Sequence, residues 1–254
     1  MRKHGKILTT DLNSTSKEKV LAFVRDSLAR GYKFWIATPN PEIILQAEKD
    51  FELHKALENS DMAIPDGVGI AFAARLLGLG EMKIIKGREM FLEIVRLASD
   101  KGWKVFLLGG GAGVAKTAGL NLRKSFKKVR IAFNEGPRLN AAGEPVSQTE
   151  VGLEKKAIAE INEFAPQILF VALGAPKQEK WVMRNLKRLK IGGAMVVGGT
   201  LDYLAGKSPL PPKGLEKGFE WLWRLVTQPA RAPRILRATI VFPWRVFLYK
   251  LKSG

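Results

Sequence analysis

The sequence predicts a layered α/β protein followed by a basic helical C-terminal unit, and three observations carry that reading. Short apolar runs end in Gly, Thr or Pro; segments with helical period lie between them; polar groups and glycines gather just after the runs. The runs are residues 33–38, 105–109, 168–174 and 194–198. They are continuous rather than alternating, as expected of strands buried on both faces of a parallel sheet. The segments with helical period are 16–30, 41–57, 67–77, 89–101, 151–164 and 176–189. Strand and helix taking turns in this way give helices packed on a mostly parallel sheet, a Rossmann-like layered fold.

In open sheets of this kind ligands bind beyond the carboxyl ends of the strands. The residues there are Thr38-Pro39-Asn40-Pro41-Glu42, Ile64-Pro65-Asp66-Gly67, Gly109-Gly110-Gly111-Ala112-Gly113, Gly174-Ala175-Pro176-Lys177-Gln178-Glu179 and Gly198-Gly199-Thr200-Leu201-Asp202. Residues 134–148 read as a turn-rich surface loop, because they hold Gly136, Pro137, Gly143 and Pro145. No internal repeat is present. The composition changes near Lys207, where Ser208-Pro209-Leu210-Pro211-Pro212-Lys213-Gly214 reads as a linker. The expected division is an α/β core over 1–207 and a C-terminal appendage over 208–254. Pro233 suits the first turn of a helix, and Pro243 is expected to kink or interrupt it. On a helical wheel Arg234, Arg237, Arg245 and Lys252 fall within roughly 80° of one another. Most of the remaining positions are Ile, Leu, Val, Phe or Trp, and a widely apolar, basic amphipathic helix suits a membrane interface.

Composition sets limits on function. The 254 residues hold 42 Lys and Arg against 24 Asp and Glu, a formal net charge of +18, which points to an anionic partner. The hydrophobic fraction of 46% is enough for a core and excludes a disordered basic tail. Without cysteine there are no disulfides, zinc fingers, Fe–S clusters or thiol catalysis. His4 and His54 are the only histidines, which argues against His-based triads and His-rich metal sites. Residues 221–254 carry seven Lys/Arg, no acid and six aromatics, among them Trp221, Trp223 and Trp244. No run reaches the ~18 apolar residues of a membrane span, and residues 1–10 are too polar for a signal peptide. The expected location is cytoplasmic, at the membrane face.

Each motif has two readings when taken alone. Gly109–Gly113 is either a phosphate-binding turn at a helix N-terminus or a plain strand–helix turn. Its G-x-G-x-G spacing gives little support to a dinucleotide site. Gly206-Lys207-Ser208 imitates the end of a Walker A motif, but six residues separate it from Gly199 where four are needed, so a P-loop is rejected. Asp66 is either a general base at the rim or a turn residue or N-cap. Thr38 and Asn40 contact a ligand, or close a turn and cap the helix from Pro41. Gln178 and Glu179 face a ligand, or favour the first helical turn through its dipole. Arg224, Arg231 and Arg234 grip a diphosphate or form a solvated basic strip. No Asp-x-Asp pair occurs, which disfavours a divalent-metal clamp on a sugar nucleotide and leaves a leaving diphosphate to Lys, Arg or backbone donors.

Taken together these strings resemble the WecG/TagA/CpsF family of bacterial glycosyltransferases. The matching pieces are Ala37-Thr38-Pro39-Asn40, Pro65-Asp66-Gly67-Val68-Gly69-Ile70, Gly174-Ala175-Pro176-Lys177-Gln178-Glu179-Lys180-Trp181, Val197-Gly198-Gly199 and Glu220-Trp221-Leu222-Trp223-Arg224-Leu225 with Pro229, Arg231 and Arg234. They span nearly the whole chain in the right order. The resemblance implies transfer of a sugar, typically N-acetylmannosamine, from a UDP-sugar to undecaprenyl-diphosphate-linked N-acetylglucosamine. It also implies inversion at the anomeric carbon, no metal and no other cofactor. Asp66 falls on the family's base, and Thr38, Asn40 and Gln178 on pocket positions. Gly109, Gly110, Ala175, Pro176, Glu179, Gly198, Gly199 and Asp202 are further candidate substrate contacts. Arg224, Arg231 and Arg234 fall on an appendage that closes over the site at the membrane. Where the family usually has Arg-x-x-Gly-x-Asp, this chain has Ile84-Ile85-Lys86-Gly87-Arg88-Glu89. Lys86 or Arg88 is the expected substitute for the missing arginine, and an extra cation there would suit a uronic acid donor.

The expected partners are therefore a UDP-sugar, a polyprenyl-diphosphate-linked acceptor and an anionic membrane surface met by 221–254, with no nucleic acid. The setting is teichoic acid or surface polysaccharide synthesis on the inner face of the plasma membrane. A homo-oligomer of the core away from the membrane stays open. Three alternatives also stay open: another donor such as a uronic acid or hexose, a basic nucleic-acid-binding protein, and a family member that binds lipid or UDP without turnover.

Overall fold

The first described elements form an antiparallel hairpin, β1 (Gly5–Ile7) and β2 (Thr10–Leu12), in a computed structural model that describes residues 5–212, 214–215, 220–227 and 229–253. After α1 (Lys17–Ala29), N-capped by the Ser16 hydroxyl, the chain enters the main sheet. Its strands are β3 (Phe34–Ala37), β4 (Met62–Ala63), β5 (Lys104–Gly109), β6 (Arg130–Asn134), β7 (Ile168–Ala172) and β8 (Gly193–Val196). All neighbours pair in parallel, in the order β4-β3-β8-β7-β5-β6. The register brings Phe34 beside Gly193, where a Cβ would come within 2.3 Å of the Phe34 ring. Only glycine lets that ring lie across the neighbouring strand.

The connecting helices are α2 (Pro41–Ala47), α3 (Phe51–Glu58), α4 (Val68–Leu76), α5 (Gly87–Lys101), α6 (Val114–Ser125), α7 (Gln148–Phe164), α8 (Lys177–Asn185) and α9 (Thr200–Leu204). Successive strand residues point to opposite faces. Trp35, Leu169, Val171 and Val196 therefore meet α2, α3, α4, α7 and α8 on one side. Phe34, Ile36, Phe170 and Met195 meet α1, α5 and α6 on the other. Burial on both faces explains why the strands read as unbroken apolar runs.

The C-terminal elements are α10 (Glu220–Thr227), a 3₁₀ turn at Pro229–Arg231, α11 (Ala232–Leu236), a π turn at Arg237–Val241 and α12 (Phe242–Ser253). Phe242 and Val246 of α12 are fully buried in the same apolar cluster as α2 and α4. Arg245 binds Glu48 twice, at 2.8 and 3.1 Å. The π turn sits directly before Pro243, whose missing N–H and fixed φ disfavour an unbroken α-helical ladder there. Among the described residues no helix is long and apolar enough to cross a membrane.

Several local expectations change. The period over 41–57 covers two helices, because Asp50 takes an extended conformation and its carboxylate accepts from the Leu53 N–H at 3.1 Å, N-capping α3. The hairpin, β6, α6 and α9 add to the expected elements, and β4 gives a range to the strand expected before Ile64. Asn13 ties the hairpin to the edge strand by accepting from the Ala63 N–H at 2.6 Å and donating its own N–H to the Ala63 carbonyl at 2.9 Å.

Candidate active site

The carboxyl ends of β4, β3, β8, β7 and β5 form one rim, and the residues singled out in the sequence lie along it in that order. Asp66 follows β4. Its backbone N–H donates to the Pro39 carbonyl at 3.0 Å, which locks the two loops together. Its Oδ2 accepts the N–H of Gly87, the first residue of α5, at 3.3 Å. The carboxylate thus meets the N-terminus of a helix 21 residues away. Gly67, the N-cap of α4, makes no side-chain cap of its own. A Cβ on Gly87 would lie 3.4 Å from both Asp66 Oδ2 and Thr38 Oγ1, so Thr38 and Asp66 face the same spot. The Thr38 hydroxyl donates to the Val196 carbonyl at 3.2 Å.

Lys86 and Arg88 flank Gly87 and so stand beside this spot. Ile84, at the family's arginine position, packs instead on the apolar cluster. Glu89, at the aspartate position, pairs with Lys17 at 2.5 Å. The Arg88 guanidinium lies 5.3 Å from the centroid of the Tyr203 ring. Tyr203 follows Asp202 on α9. Burial raises the Asp202 pKa, while the charges of Lys207 and Arg231 act in the opposite direction. The Arg231 guanidinium also approaches Gly199, where a Cβ would lie 3.8 Å from both of its terminal nitrogens. Arg88 and Tyr203 thus meet on one part of the rim, and Asp202, Gly199 and Arg231 on the part beside it.

A second cluster lies where α8 begins. Gln178 and Glu179 are buried, and Gln178 Nε2 donates to Glu179 Oε1 at 3.0 Å. Gln178 Oε1 and Glu179 Oε2 are buried without a hydrogen-bond partner among the described residues. Burial pushes the Glu179 carboxyl up to about 7, although Gln178, Arg234 and Lys180 favour its charged form. Arg234 itself donates to Glu42 Oε1 at 2.7 Å, and the Glu42 side chain is only 9% exposed. Arg231 and Arg234 thus carry the C-terminal segment to both clusters. The Arg224 side chain falls outside the described residues.

Other singled-out residues have structural partners. Asn40 N-caps α2, its Oδ1 accepting the Ile43 N–H at 3.0 Å. Lys180 bridges Asp50 at 2.6 Å and the Ala141 carbonyl at 2.9 Å, and Trp181 donates to Glu154 at 2.7 Å. The second half of the Gly174–Trp181 string therefore fastens α8 to α3 and α7, while the first half forms the rim through Gly174, Ala175 and Pro176. At Gly109 a Cβ would meet the Ala172 carbonyl oxygen at 2.5 Å, and at Gly110 it would meet Val114 at 2.5 Å. The neighbouring strand's backbone requires glycine at 109, and the Val114 side chain requires it at 110. Gly113, the N-cap of α6, donates its N–H to Glu135 at 2.7 Å, so a carboxylate occupies that helix end.

Sequence reasoning missed Glu42, Gly87, Tyr203 and Glu135. Glu42 reads locally as a first-turn acid, and its partner lies 192 residues further on. Among the described residues no group of three or more His, Asp or Glu side chains could hold a metal ion. A hollow of about 620 Å³, lined by Arg25, Trp103 and Lys190 among others, lies at the amino ends of the strands, away from this rim.

The rim gathers the carboxyl groups of Asp66, Asp202 and Glu179 with the C-terminal cations Arg231 and Arg234. Comparison with known proteins gives the family. The chain is 31% identical over 207 residues to an N-acetylglucosaminyldiphosphoundecaprenol N-acetyl-beta-D-mannosaminyltransferase of Bacillus subtilis (strain 168), covering 79% of this chain and 74% of that protein. It is 26% identical over 252 residues to a protein of the same name from Staphylococcus aureus (strain NCTC 8325 / PS 47), covering 98% of this chain and 92% of that one. The profile of the glycosyl transferase WecG/TagA/CpsF family matches residues 5–254. The chain therefore belongs to the WecG/TagA/CpsF family and is a glycosyltransferase.

Proposed function

We propose that this enzyme transfers N-acetylmannosamine from a UDP-sugar to undecaprenyl-diphosphate-linked N-acetylglucosamine, with inversion and without a metal, in teichoic acid or surface polysaccharide synthesis. The observation that carries the reading is Asp66, held by Gly87 and facing Thr38 at the carboxyl edge of the sheet. The names of the relatives supply the sugar and the acceptor. The lack of any Asp-x-Asp pair favours charge compensation by side-chain cations.

In this reaction an acceptor hydroxyl attacks the anomeric carbon as the bond to the nucleotide diphosphate breaks. The hydroxyl is too weak an acid to ionise beforehand, so its proton passes to the Asp66 carboxylate as the new C–O bond forms. Attack from the face opposite the leaving group inverts the centre. Negative charge then grows on the departing UDP. In this reading Arg231 and Arg234, together with Lys86 or Arg88, compensate it, and Arg224 is a further candidate from the sequence. Thr38, Asn40, Gln178 and the Gly198–Gly199 turn complete the pocket.

The acceptor lies in a membrane, which fits a C-terminal segment of seven cations, no acid and six aromatics. Anionic headgroups contribute about 1 kcal/mol per nearby Lys or Arg. Seven give at most roughly 7 kcal/mol, which corresponds to reversible peripheral binding on the inner face of the plasma membrane.

The test is UDP release from UDP-N-acetylmannosamine in the presence of the lipid-linked acceptor, for wild type and Asp66→Asn, with a uronic acid UDP-sugar as a second donor. Acceptor-dependent release by the wild type, reduced about 10²–10⁴-fold in the variant, supports the reading. Equal rates for the two proteins remove Asp66 as the base.

A further inference from the structure

The geometry points to a binding groove for the hydrocarbon chain of the acceptor, between α4 and the C-terminal helices, on the helix that follows Asp66. This inference rests on the lipid-linked acceptor proposed above. Its walls are Phe72 and Leu76 of α4, Ile240 of the π turn, and Pro243, Trp244 and Phe247 of α12. It is an open hollow of about 510 Å³, within the ~300–1,000 Å³ usual for small-ligand sites.

Three observations specify the occupant. The first is an exposed apolar stripe. Phe72, Ile240 and Trp244 are 55%, 62% and 61% exposed, and the Trp244 and Phe247 rings stack at 5.7 Å. Clusters of large exposed apolar side chains mark binding surfaces. The second is continuity with the site. Gly67, next to Asp66, is the N-cap of α4, and Val68, Phe72 and Leu76 follow at four-residue spacing along one face. At 1.5 Å per residue the groove begins only about 9 Å along the helix from Asp66. The C-terminal segment crosses the start of this path, since a Cβ on Gly69 would lie 3.9 Å from the Ala238 carbonyl oxygen. The third is charge. Arg231 and Arg234 approach the rim from the segment just before the groove wall, and residues 221–254 contain no acid to repel a diphosphate. A molecule with a diphosphate at the rim and a long apolar chain matches this order of surfaces.

The experiment is equilibrium binding of the full chain, in non-ionic detergent, to undecaprenyl-diphosphate-linked N-acetylglucosamine and to a water-soluble short-chain analogue with the same headgroup. Proteins compared are the wild type, Phe72→Asp, Ile240→Asp and Leu251→Asp. Leu251 is exposed on α12 and does not line the groove, so its variant reports general contact with micelle or membrane. Wild type is expected to prefer the long chain by at least about tenfold. Phe72→Asp and Ile240→Asp should abolish the preference with binding of the short analogue unchanged, and Leu251→Asp should keep it. Equal affinity of the wild type for both chain lengths overturns the groove, as does a Leu251→Asp loss as large as that of Phe72→Asp, which would assign the surface to the membrane. Sugar transfer scored in parallel separates the two readings. Transfer without chain-length dependence removes the groove alone, and chain-dependent binding without transfer from any UDP-sugar removes the proposed reaction alone.

Discussion

Glu179→Gln should change how stability depends on pH, and by an amount that follows from burial. The carboxyl is almost fully enclosed, one of its oxygens has no hydrogen-bond partner among the described residues, and its pKa rises from 4.5 to about 7. Between those values the folded chain holds a proton that the unfolded chain has lost. Stability therefore declines as pH rises across the window and levels off above about pH 7. At 1.36 kcal/mol per pH unit the loss is about 3 kcal/mol. Glutamine keeps the shape and the acceptor for Gln178 Nε2 but cannot ionise. Urea unfolding of both proteins from pH 4.5 to pH 8 isolates this group, because every other titration is common to the two. Relative to wild type the variant should gain about 3 kcal/mol between the ends of the range. In a domain of this size that corresponds to roughly 6–12 °C in Tm. A flat difference, or one that falls with pH, would refute the reasoning and mean that Arg234 and Lys180 keep the carboxylate charged.

Two further outcomes test the rim. Gly109→Ala forces a Cβ to 2.5 Å from the Ala172 carbonyl oxygen at a φ of +106°, whereas Gly111→Ala meets nothing within 4 Å at +79°. Urea unfolding should show the first losing more than about 3 kcal/mol and the second about 1 kcal/mol. Arg234→Met strands the buried Glu42 carboxylate. With Arg234 half exposed, the expected loss is about 1–3 kcal/mol. Adding Glu42→Gln should restore most of it in the same unfolding assay.

What was legible in the sequence follows from the range of the forces involved. The apolar runs at 33–38, 105–109, 168–174 and 194–198 needed only local hydropathy, because the strands they mark are buried on both faces. β4 has only two residues, and β6 begins at the exposed Arg130, behind the exposed Lys127 and Lys128, with three of its five residues half-buried, so neither gives a clear run. The rim was legible as a place because glycines and prolines mark the strand ends. The partners within it were not. Asp-Gly ordinarily suggests a local cap, yet the Asp66 carboxylate serves a helix 21 residues on. Glu42 and Arg234 are 192 residues apart, and no periodicity connects them. The exposed side of α4 was equally hidden, because a helix with one charged residue, Arg75, reads as core until its neighbours are known.

The paired state of the C-terminal arginines bears on how the site would handle a diphosphate. Arg234 sits on Glu42, and Arg231 draws on the charge of Asp202. The Arg234 guanidinium is thus held before any ligand arrives, which avoids ordering that long side chain at the moment of binding. The carboxylates also lower the local field, so phosphate oxygens must compete with them for the guanidinium donors. The surroundings ease that exchange. Gln46 Nε2 donates to the same Glu42 oxygen at 3.3 Å and remains with it if Arg234 turns away. Asp202, with its pKa raised by burial, takes up a proton more readily than an ordinary aspartate once the Arg231 charge is shared with phosphate. Docking of the C-terminal segment and gripping of the leaving group would then use the same two arginines. The contacts that seat α11 beside α2 would be partly traded for contacts to the nucleotide, and substrate binding would be coupled to the position of the C-terminal segment.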